Sequence, residues 1–264
     1  MKQKSKNTNL ENLLTEYSFI TDEELNRLFE KCLENAESSK YDDNLRKLFT
    51  FALKHKELFT NNSIKPSKDA KGEISCYIDK WISKYIKDRE NEKLATPLKN
   101  YGEKDEALIS RVRASTRESE EVVQNYIDGH YLFMSAENMN GAILEEYLAE
   151  VLEPAGWQWC AGSVFRAIDF CYLSNEEEPI LLQVKNKYNT ENSSSSAIRN
   201  GTKIKKWNRL SRPKVATGKF TPIPNWDTLH EIVQNPSLND QLTEEKYLNY
   251  IETNSTSELD ILGE

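Results

Sequence analysis

The hydrophobic period of this chain changes near residue 155, and that change constrains the fold more than any other feature. Before it, apolar residues recur three and four positions apart, as on one face of an α-helix. After it, short apolar segments bounded by polar turns indicate strands at 157–160, 165–173 and 180–187. The sequence therefore predicts an α/β (α+β) protein, with a helical N-terminal region followed by a mixed sheet core flanked by helices.

Helix boundaries are marked most clearly at Thr21, a predicted N-cap with Glu24 three residues later in a capping box. Further helices are expected at 44–59, 74–94, 119–133, 138–152, 227–233 and 244–251. We predict a helical region over 1–100, a core over 101–235 and an acidic C-terminal helix and tail over 236–264. The first of these regions carries no catalytic signal.

Several classes of protein are excluded by composition. No apolar run approaches the roughly 18 residues that cross a bilayer, and the polar start shows no secretory block. The four cysteines form no C-x-x-C pair, so we expect reduced thiols and a cytoplasmic protein without a membrane partner. The three histidines lie far apart and predict no metal site.

Charge is distributed unevenly along the chain. The segment 185–220 holds ten basic residues and one acid, a net charge of +9, whereas the whole chain carries −8. A basic segment within an acidic protein is typical of a surface that binds a polyanion such as DNA. The alternative is a solvated surface loop.

The two central strand segments predict a hairpin with a defined register. If residues 174–178 form the loop, Phe170 faces Leu182 and Tyr172 faces Ile180, giving a continuous apolar face. The same register puts Asp169 opposite Gln183, with Lys185 further along the same side. A slip of one residue would destroy both features.

That cluster suits metal-assisted hydrolysis of a phosphodiester. Asp169, the amide oxygen of Gln183 and the backbone carbonyl of Val184 are expected to bind Mg²⁺, which prefers oxygen ligands and keeps several waters. Lys185 would orient the attacking water or neutralise developing charge.

Glu145 is a further candidate catalytic carboxylate, because it borders the apolar stripe of the helix that precedes the sheet. The alternative for Glu145 is a solvated helix position.

This pattern of a helix acid, then Asp, then Gln-x-Lys resembles the PD-(D/E)xK nuclease superfamily, with Gln183 replacing the usual second acid as in the Mrr-like branch. The longer run from Leu182 to Trp207 resembles the SinI-type family of type II restriction endonucleases. The resemblance implies a restriction-endonuclease-like core and a Mg²⁺-dependent, homodimeric enzyme that cuts double-stranded DNA at a short GGWCC-type site. It also implies a companion DNA methyltransferase that acts on the same site.

The basic segment then divides into two predicted kinds of DNA contact. Amide, hydroxyl and guanidinium side chains can read base edges in the major groove, whereas lysines bind phosphates and give salt-dependent affinity. The candidate base readers are Asn189, Asn192, Ser194, Ser195 and Arg199. The candidate phosphate contacts are Lys203, Lys205, Lys206 and Arg209, and Lys187 is a further candidate DNA contact. The alternative for the serine run is a flexible linker.

Two other functions stay open from the sequence. A DNA-binding protein without chemistry would use the same basic segment. A thiol hydrolase would use Cys160 or Cys171 with His230, although nothing in their spacing favours it.

Overall fold

The fold is taken from a computed structural model, which describes residues 5–36, 39–67, 69–99, 105–175, 178–188, 202–214, 218, 220–257 and 259–260. The helices are α1 (Leu10–Glu16), α2 (Asp22–Asn35), α3 (Asp42–Lys54), α4 (Ala70–Glu90), α5 (Glu106–Thr116), α6 (Glu120–Leu152), α7 (Trp226–Val233) and α8 (Glu244–Asn254). The strands are β1 (Lys6–Thr8), β2 (Asn62–Ile64), β3 (Leu98–Lys99), β4 (Trp157–Trp159), β5 (Phe170–Tyr172), β6 (Ile180–Lys187), β7 (Ile204–Ser211), β8 (Ile223–Pro224) and β9 (Leu259–Asp260).

The main sheet of the described residues has five strands in the order β4-β5-β6-β7-β8. All neighbouring pairs are antiparallel except β6 and β7, which run parallel. The predicted α+β class, with helices before and around a mixed sheet, is confirmed. The strand β7 was not predicted, because its parallel partner is not joined to it by a short turn that the sequence would reveal.

Local sequence signals predicted one helix start correctly and one helix break wrongly. The Thr21 side chain accepts a hydrogen bond from the Glu24 backbone N–H at 3.2 Å, which confirms the predicted N-cap of α2. The separate helices predicted at 119–133 and 138–152 are wrong, since α6 runs without a break from Glu120 to Leu152. The residues between them carry no proline, so no local feature ends the helix.

The chain packs as two units, residues 1–91 with 148–242 and residues 92–147 with 243–264. These units differ from the predicted domains 1–100, 101–235 and 236–264. The difference arises because the N-terminal helices pack on the segment that leads into β5. The Trp81 ring of α4 lies 6.2 Å from Phe165 and 6.0 Å from Phe59, and its indole N–H donates to the Val164 carbonyl at 3.1 Å.

The second unit, taken by itself, contains α5, most of α6, α8 and the small parallel sheet of β3 and β9. The Tyr147 ring of α6 lies 5.4 Å from Tyr247 and 5.2 Å from Tyr250, both on α8. Within the described residues, no helix combines the length and apolar content that a membrane span requires.

In the first unit, Arg89 at the end of α4 is held by a carboxylate and three aromatic rings. Its guanidinium donates to both oxygens of Glu153 at 2.6 and 2.9 Å, in the two-bond geometry that suits arginine. It also lies 5.1 Å from the ring centre of Tyr41, 5.8 Å from Tyr85 and 5.0 Å from Trp159. This residue therefore joins the helical layer to the edge of the sheet.

Arg89→Met is expected to lower the free energy of unfolding by about 2 kcal/mol, because it leaves the Glu153 carboxylate without its charged partner. The side chains of this pair are only 14% and 21% exposed, so solvent screens them weakly. Chemical denaturation measures the effect. Arg46→Met is the control, because Arg46 and Glu30 are 43% and 45% exposed, so solvent screens this pair and a smaller loss is expected. Equal losses in the two variants would contradict the prediction.

Candidate active site

The β5–β6 hairpin has the register that the sequence predicts. Phe170 pairs with Leu182, Cys171 with Leu181 and Tyr172 with Ile180. Of the predicted apolar face, Phe170 and Leu182 are fully covered, whereas Tyr172 and Ile180 are half-buried. The register therefore brings the segment around residue 169 next to residues 182–185, as the hypothesis of a catalytic hairpin requires.

The ladder ends at Phe170, so the predicted cross-strand pair of Asp169 and Gln183 is not formed. Asp169 donates its backbone N–H to the Leu182 carbonyl at 2.9 Å and accepts from the Cys160 N–H at 2.8 Å through its own carbonyl. Two residues earlier, Ala167 has a φ of 58°, a left-handed conformation that bends the chain. This bend takes Asp169 out of the strand.

The Asp169 carboxylate is instead anchored on the backbone of β6. Its Oδ2 accepts a hydrogen bond from the Val184 N–H at 2.7 Å. Desolvation raises the pKa of Asp169 above its ordinary value, while the Lys185 ammonium and the Val184 N–H act in the opposite direction. The Lys185 ammonium is thus near enough to act electrostatically on the Asp169 carboxylate.

The face of the sheet next to this carboxylate is polar. Gln183 and Lys185 lie on one face of β6 and are paired in parallel register with Lys206 and Asn208 of β7. Gln183 is buried and Lys185 is half-buried. The register thereby places two amides and two amines on one face beside the carboxylate.

The donor set fits a divalent cation of the Mg²⁺ type. The donors are all oxygens: the Asp169 carboxylate, the Gln183 amide and the Val184 carbonyl. In a strand, the N–H and C=O of one residue point to the same edge, so the Val184 carbonyl faces the side on which Asp169 lies. The described residues contain no group of three or more His, Cys, Asp or Glu that could hold a metal. Asp169 is the one charged ligand among these three donors.

Glu145 belongs to the second unit, where it lies half-buried on α6. Its neighbour Glu146 accepts hydrogen bonds from the Lys93 backbone N–H at 2.9 and 3.2 Å. The role of Glu145 in the reaction stays a prediction.

The predicted DNA contacts have different surroundings. Asn189, Asn192, Ser194, Ser195 and Arg199 lie outside the described residues. Lys203 and Lys205 are exposed, whereas Lys187 and Lys206 are half-buried at the strands β6 and β7. Arg209 is buried, and its Nε donates to Asn186 Oδ1 at 2.8 Å on the opposite face from Lys185. That burial argues against the predicted phosphate contact by Arg209, because β7 is a central strand and not a surface loop.

The thiol alternative gains no support from the structure. Cys160 and Cys171 are buried, and their Sγ atoms lie 3.8 Å apart. His230 uses its Nε2 to bond the Leu242 carbonyl at 2.8 Å. Neither thiol has His230 as a hydrogen-bond partner among the described residues, so the nucleophile–base contact that such a mechanism uses is not formed.

A separate cavity of about 460 Å³ lies at the other end of β5, between α3 and the start of β4. Its walls include Lys47, His55, Gln158 and Tyr172. None of the predicted site residues lines it. The candidate chemistry therefore belongs to the cluster around Asp169 and not to this cavity.

One residue of the polar face of β6 and β7 was not predicted from the sequence. Asn208 is paired with Lys185, and its side-chain Oδ1 is buried without a hydrogen-bond partner among the described residues. The sequence holds no signal for this neighbour, because the parallel register of β6 and β7 depends on residues outside both strands.

A mixed sheet that joins an anchored aspartate to a Gln-x-Lys strand is the arrangement expected of the nuclease class that the sequence resembles. The sequence profile of the SinI restriction endonuclease family matches residues 30–254, which is most of the chain, and this chain belongs to that family. The predicted resemblance is thereby confirmed.

Two curated relatives support the same assignment. The chain is 44% identical over 138 residues to the type II restriction enzyme Eco47I of Escherichia coli, covering 52% of this chain and 57% of that protein. It is 42% identical over 137 residues to the type II restriction enzyme SinI of Salmonella infantis, covering 52% of this chain and 56% of that protein. The matched segments thus span a little over half the length of these relatives.

Proposed function

We propose that this protein is a type II restriction endonuclease that cuts both strands of DNA at a short specific site, of GGWCC type, with Mg²⁺. The observation that carries this proposal is the carboxylate of Asp169, held by the Val184 N–H and within electrostatic reach of the Lys185 ammonium, in a chain of this family. Type II restriction enzymes generally use a divalent metal, and an all-oxygen donor set suits Mg²⁺.

The chain's own residues have distinct roles in this proposal. Asp169, Gln183 and the Val184 carbonyl would hold the ion, which when bound polarises the scissile phosphate and lowers the pKa of a water. The Val184 N–H keeps the Asp169 carboxylate in one orientation before any ligand arrives. The Lys185 ammonium would lie next to the scissile phosphate, where it offsets the negative charge that develops during the reaction. It can also orient the attacking water. Glu145 is proposed as a further acid that assists this site.

Gln183 occupies the position of the usual second acid of the superfamily pattern, so this site carries one negative charge fewer than a site with two acids. With Asp169 as the only carboxylate assigned to the ion itself, we expect weaker ion binding than at a site with two acid ligands, and more retained waters. This difference supports a role for Lys185 in offsetting charge during the reaction.

DNA recognition is assigned to the basic segment that follows β6. Asn189, Asn192, Ser194, Ser195 and Arg199 are proposed to read bases, and Lys187, Lys203, Lys205 and Lys206 to contact phosphates. The exposure of Lys203 and Lys205 agrees with the second role. Arg209 is left out because it is buried against Asn186.

Arg199→Ala is expected to lower the preference for the specific site, with a cost of about 1–3 kcal/mol in binding that site. Lys205→Ala should weaken binding to all sequences alike and reduce the salt dependence by about one phosphate contact. Binding isotherms of both variants on specific and unrelated duplexes at several salt concentrations measure the two effects. If the variants lose the same affinity on every duplex, the division into readers and phosphate contacts is wrong.

Cleavage of both strands also requires two active sites, for which we propose a homodimer. The helices α5 and α6 of the second unit leave apolar side chains exposed: Leu108 is 60% exposed and Tyr126 is 50% exposed. No residue of α5 is buried, although an isolated helix of its 11 residues is marginal in water. A covering surface is therefore needed.

A second copy fits that surface by charge. Glu106 and Arg113 lie seven residues apart, two turns along one side of α5. Two copies of α5 packed antiparallel about a twofold axis would bring each Glu106 near the Arg113 of the other copy, while Leu108, Ile109 and Val112 are covered.

Leu108→Glu is expected to convert the protein to monomer and to slow double-strand cleavage, because it places a charge in the apolar contact. Sedimentation velocity measures the mass, and the ratio of nicked to linear plasmid measures the cleavage. Leu248→Glu is the control, since Leu248 is 47% exposed on α8. A dimeric Leu108→Glu variant would rule out this interface.

We further propose that the enzyme acts on DNA in the cytoplasm and that a DNA methyltransferase of the same specificity protects the host. The methyltransferase needs no contact with this protein, because it would act through the shared site.

Digestion of a plasmid with and without Mg²⁺, followed by sequencing of the new ends, tests the proposed function. Discrete fragments that appear only with the ion, with one common sequence at their ends, are expected. A mobility shift without nicking in any divalent ion would instead support the second candidate, a DNA-binding protein without chemistry.

A further inference from the structure

An unpartnered acceptor lies on the sheet face of the proposed active site. The Oδ1 atom of Asn208 is covered by protein and has no hydrogen-bond partner among the described residues. A buried carbonyl oxygen without a partner costs folding free energy, so such atoms are uncommon and usually serve another role.

The nearest suitable donor is set by the strand register. Asn208 of β7 is the parallel partner of Lys185 of β6, so both side chains leave the same face from neighbouring strands. Adjacent strands lie about 4.8 Å apart, and a lysine ammonium on its flexible stem can reach across that spacing with any of three donors. On the other side of β6, the Lys185 charge interacts with Asp169.

The backbone of Asn208 is fixed in place. Its carbonyl accepts a hydrogen bond from Asn225 Nδ2 at 3.2 Å, and Asn225 in turn donates its N–H to the Arg209 carbonyl at 2.8 Å. The acceptor therefore stands at a constant position relative to β6, as a residue that orients a flexible side chain must.

The structure shows this oxygen unpaired among the described residues, and we infer that Asn208 is a positioning residue whose side-chain carbonyl accepts a hydrogen bond from the Lys185 ammonium when the flexible lysine stem turns toward β7. This inference rests on the proposed function for its consequence, since Lys185 is the amine of the proposed chemistry. A neutral amide orients the ammonium without cancelling its charge, whereas a carboxylate at residue 208 would neutralise the charge that the phosphate needs. Lys185 therefore has the Asp169 charge within electrostatic reach and the neutral amide of Asn208 on the neighbouring strand.

Nuclear magnetic resonance of the lysine ammonium groups tests the hydrogen bond in the metal-free full-length protein. The Lys185 signal is assigned by its loss in Lys185→Arg. A hydrogen bond slows proton exchange, so the signal is expected in the wild-type protein and in Asn208→Asp, and lost in Asn208→Leu. If Asn208→Leu fails to fold, Asn208→Ala gives the same comparison. Absence of the signal in the wild-type protein, or its persistence without an acceptor at residue 208, overturns the inference.

Cleavage kinetics provide the second readout. Asn208→Leu is expected to lower kcat about 10–100-fold with KM for DNA unchanged, and Asn208→Asp is expected to recover part of that loss. Asn61→Leu, at an exposed residue before β2, should leave both constants unchanged. An unchanged kcat in Asn208→Leu overturns the inference.

The two readouts separate the inference from the proposed function. If the wild-type protein cuts no DNA, the proposed function fails, while the ammonium signal still decides whether Asn208 holds Lys185.

Discussion

Asp169→Asn and Lys185→Met should each lower the rate of DNA cleavage by about 10³-fold or more, while metal-independent binding to DNA is largely retained. Asparagine still offers an oxygen to the Val184 N–H, so the fold around residue 169 is kept while the charge that would bind the ion is lost. Methionine replaces the lysine stem without its charge. Single-turnover cleavage and mobility shifts without divalent ions measure the two properties separately.

The controls for this experiment remove the same charges elsewhere. Asp43→Asn and Lys31→Met alter exposed residues on α3 and α2 and should cut DNA at the wild-type rate. Wild-type cutting by either the Asp169 or the Lys185 variant would refute the active-site assignment. Loss of DNA binding together with cleavage would point to a recognition role in place of a catalytic one.

Gly162→Ala should lower the free energy of unfolding of the first unit by about 2–4 kcal/mol. Gly162 has a φ of 71°, which an L-residue adopts with strain, and a Cβ there would lie 2.5 Å from the Lys84 carbonyl oxygen of α4. Its own N–H donates to Asp88 Oδ2 at 2.9 Å. Both contacts hold the segment that precedes β5 on the helix, so alanine would have to push them apart. Denaturation by urea measures the loss.

Gly141→Ala is the matched control for that experiment. Gly141 lies inside α6, and a Cβ there meets nothing within 4 Å. Because alanine is the better helix former, this variant should be more stable by about 0.5–1 kcal/mol. If Gly162→Ala unfolds at the same urea concentration as the wild-type protein, the close approach to Lys84 is not as tight as described.

Local patterns predicted the parts of this protein in which the interacting residues are close in sequence. The N-cap at Thr21 needs only residues within one helical turn, and the hairpin register needs only two segments joined by a short loop. In both cases the apolar spacing leaves one arrangement that buries the nonpolar side chains. The same reasoning failed where a helix continued without a local signal, as α6 does through residues 134–137.

The same reason accounts for part of the candidate site. Asp169, Val184 and Lys185 are brought together by the hairpin, so their neighbourhood follows from the register. The anchoring of the Asp169 carboxylate on the Val184 N–H was not foreseen, because it depends on the left-handed conformation of Ala167. A positive φ at alanine is set by the surrounding packing and has no signal in the residue type.

By itself, the sequence determined the family and the hydrophobic periods that mark helices and strands. It also determined the hairpin register that brings Asp169 next to the strand of Gln183, Val184 and Lys185. Only the tertiary structure decided that β7 lies beside β6, which buries Arg209 and sets Asn208 next to Lys185. The physical reason is that a parallel pair is joined by a long connection, so its register is chosen by packing across the whole sheet. A tight hairpin carries its register in the turn and in the alternation of its own residues.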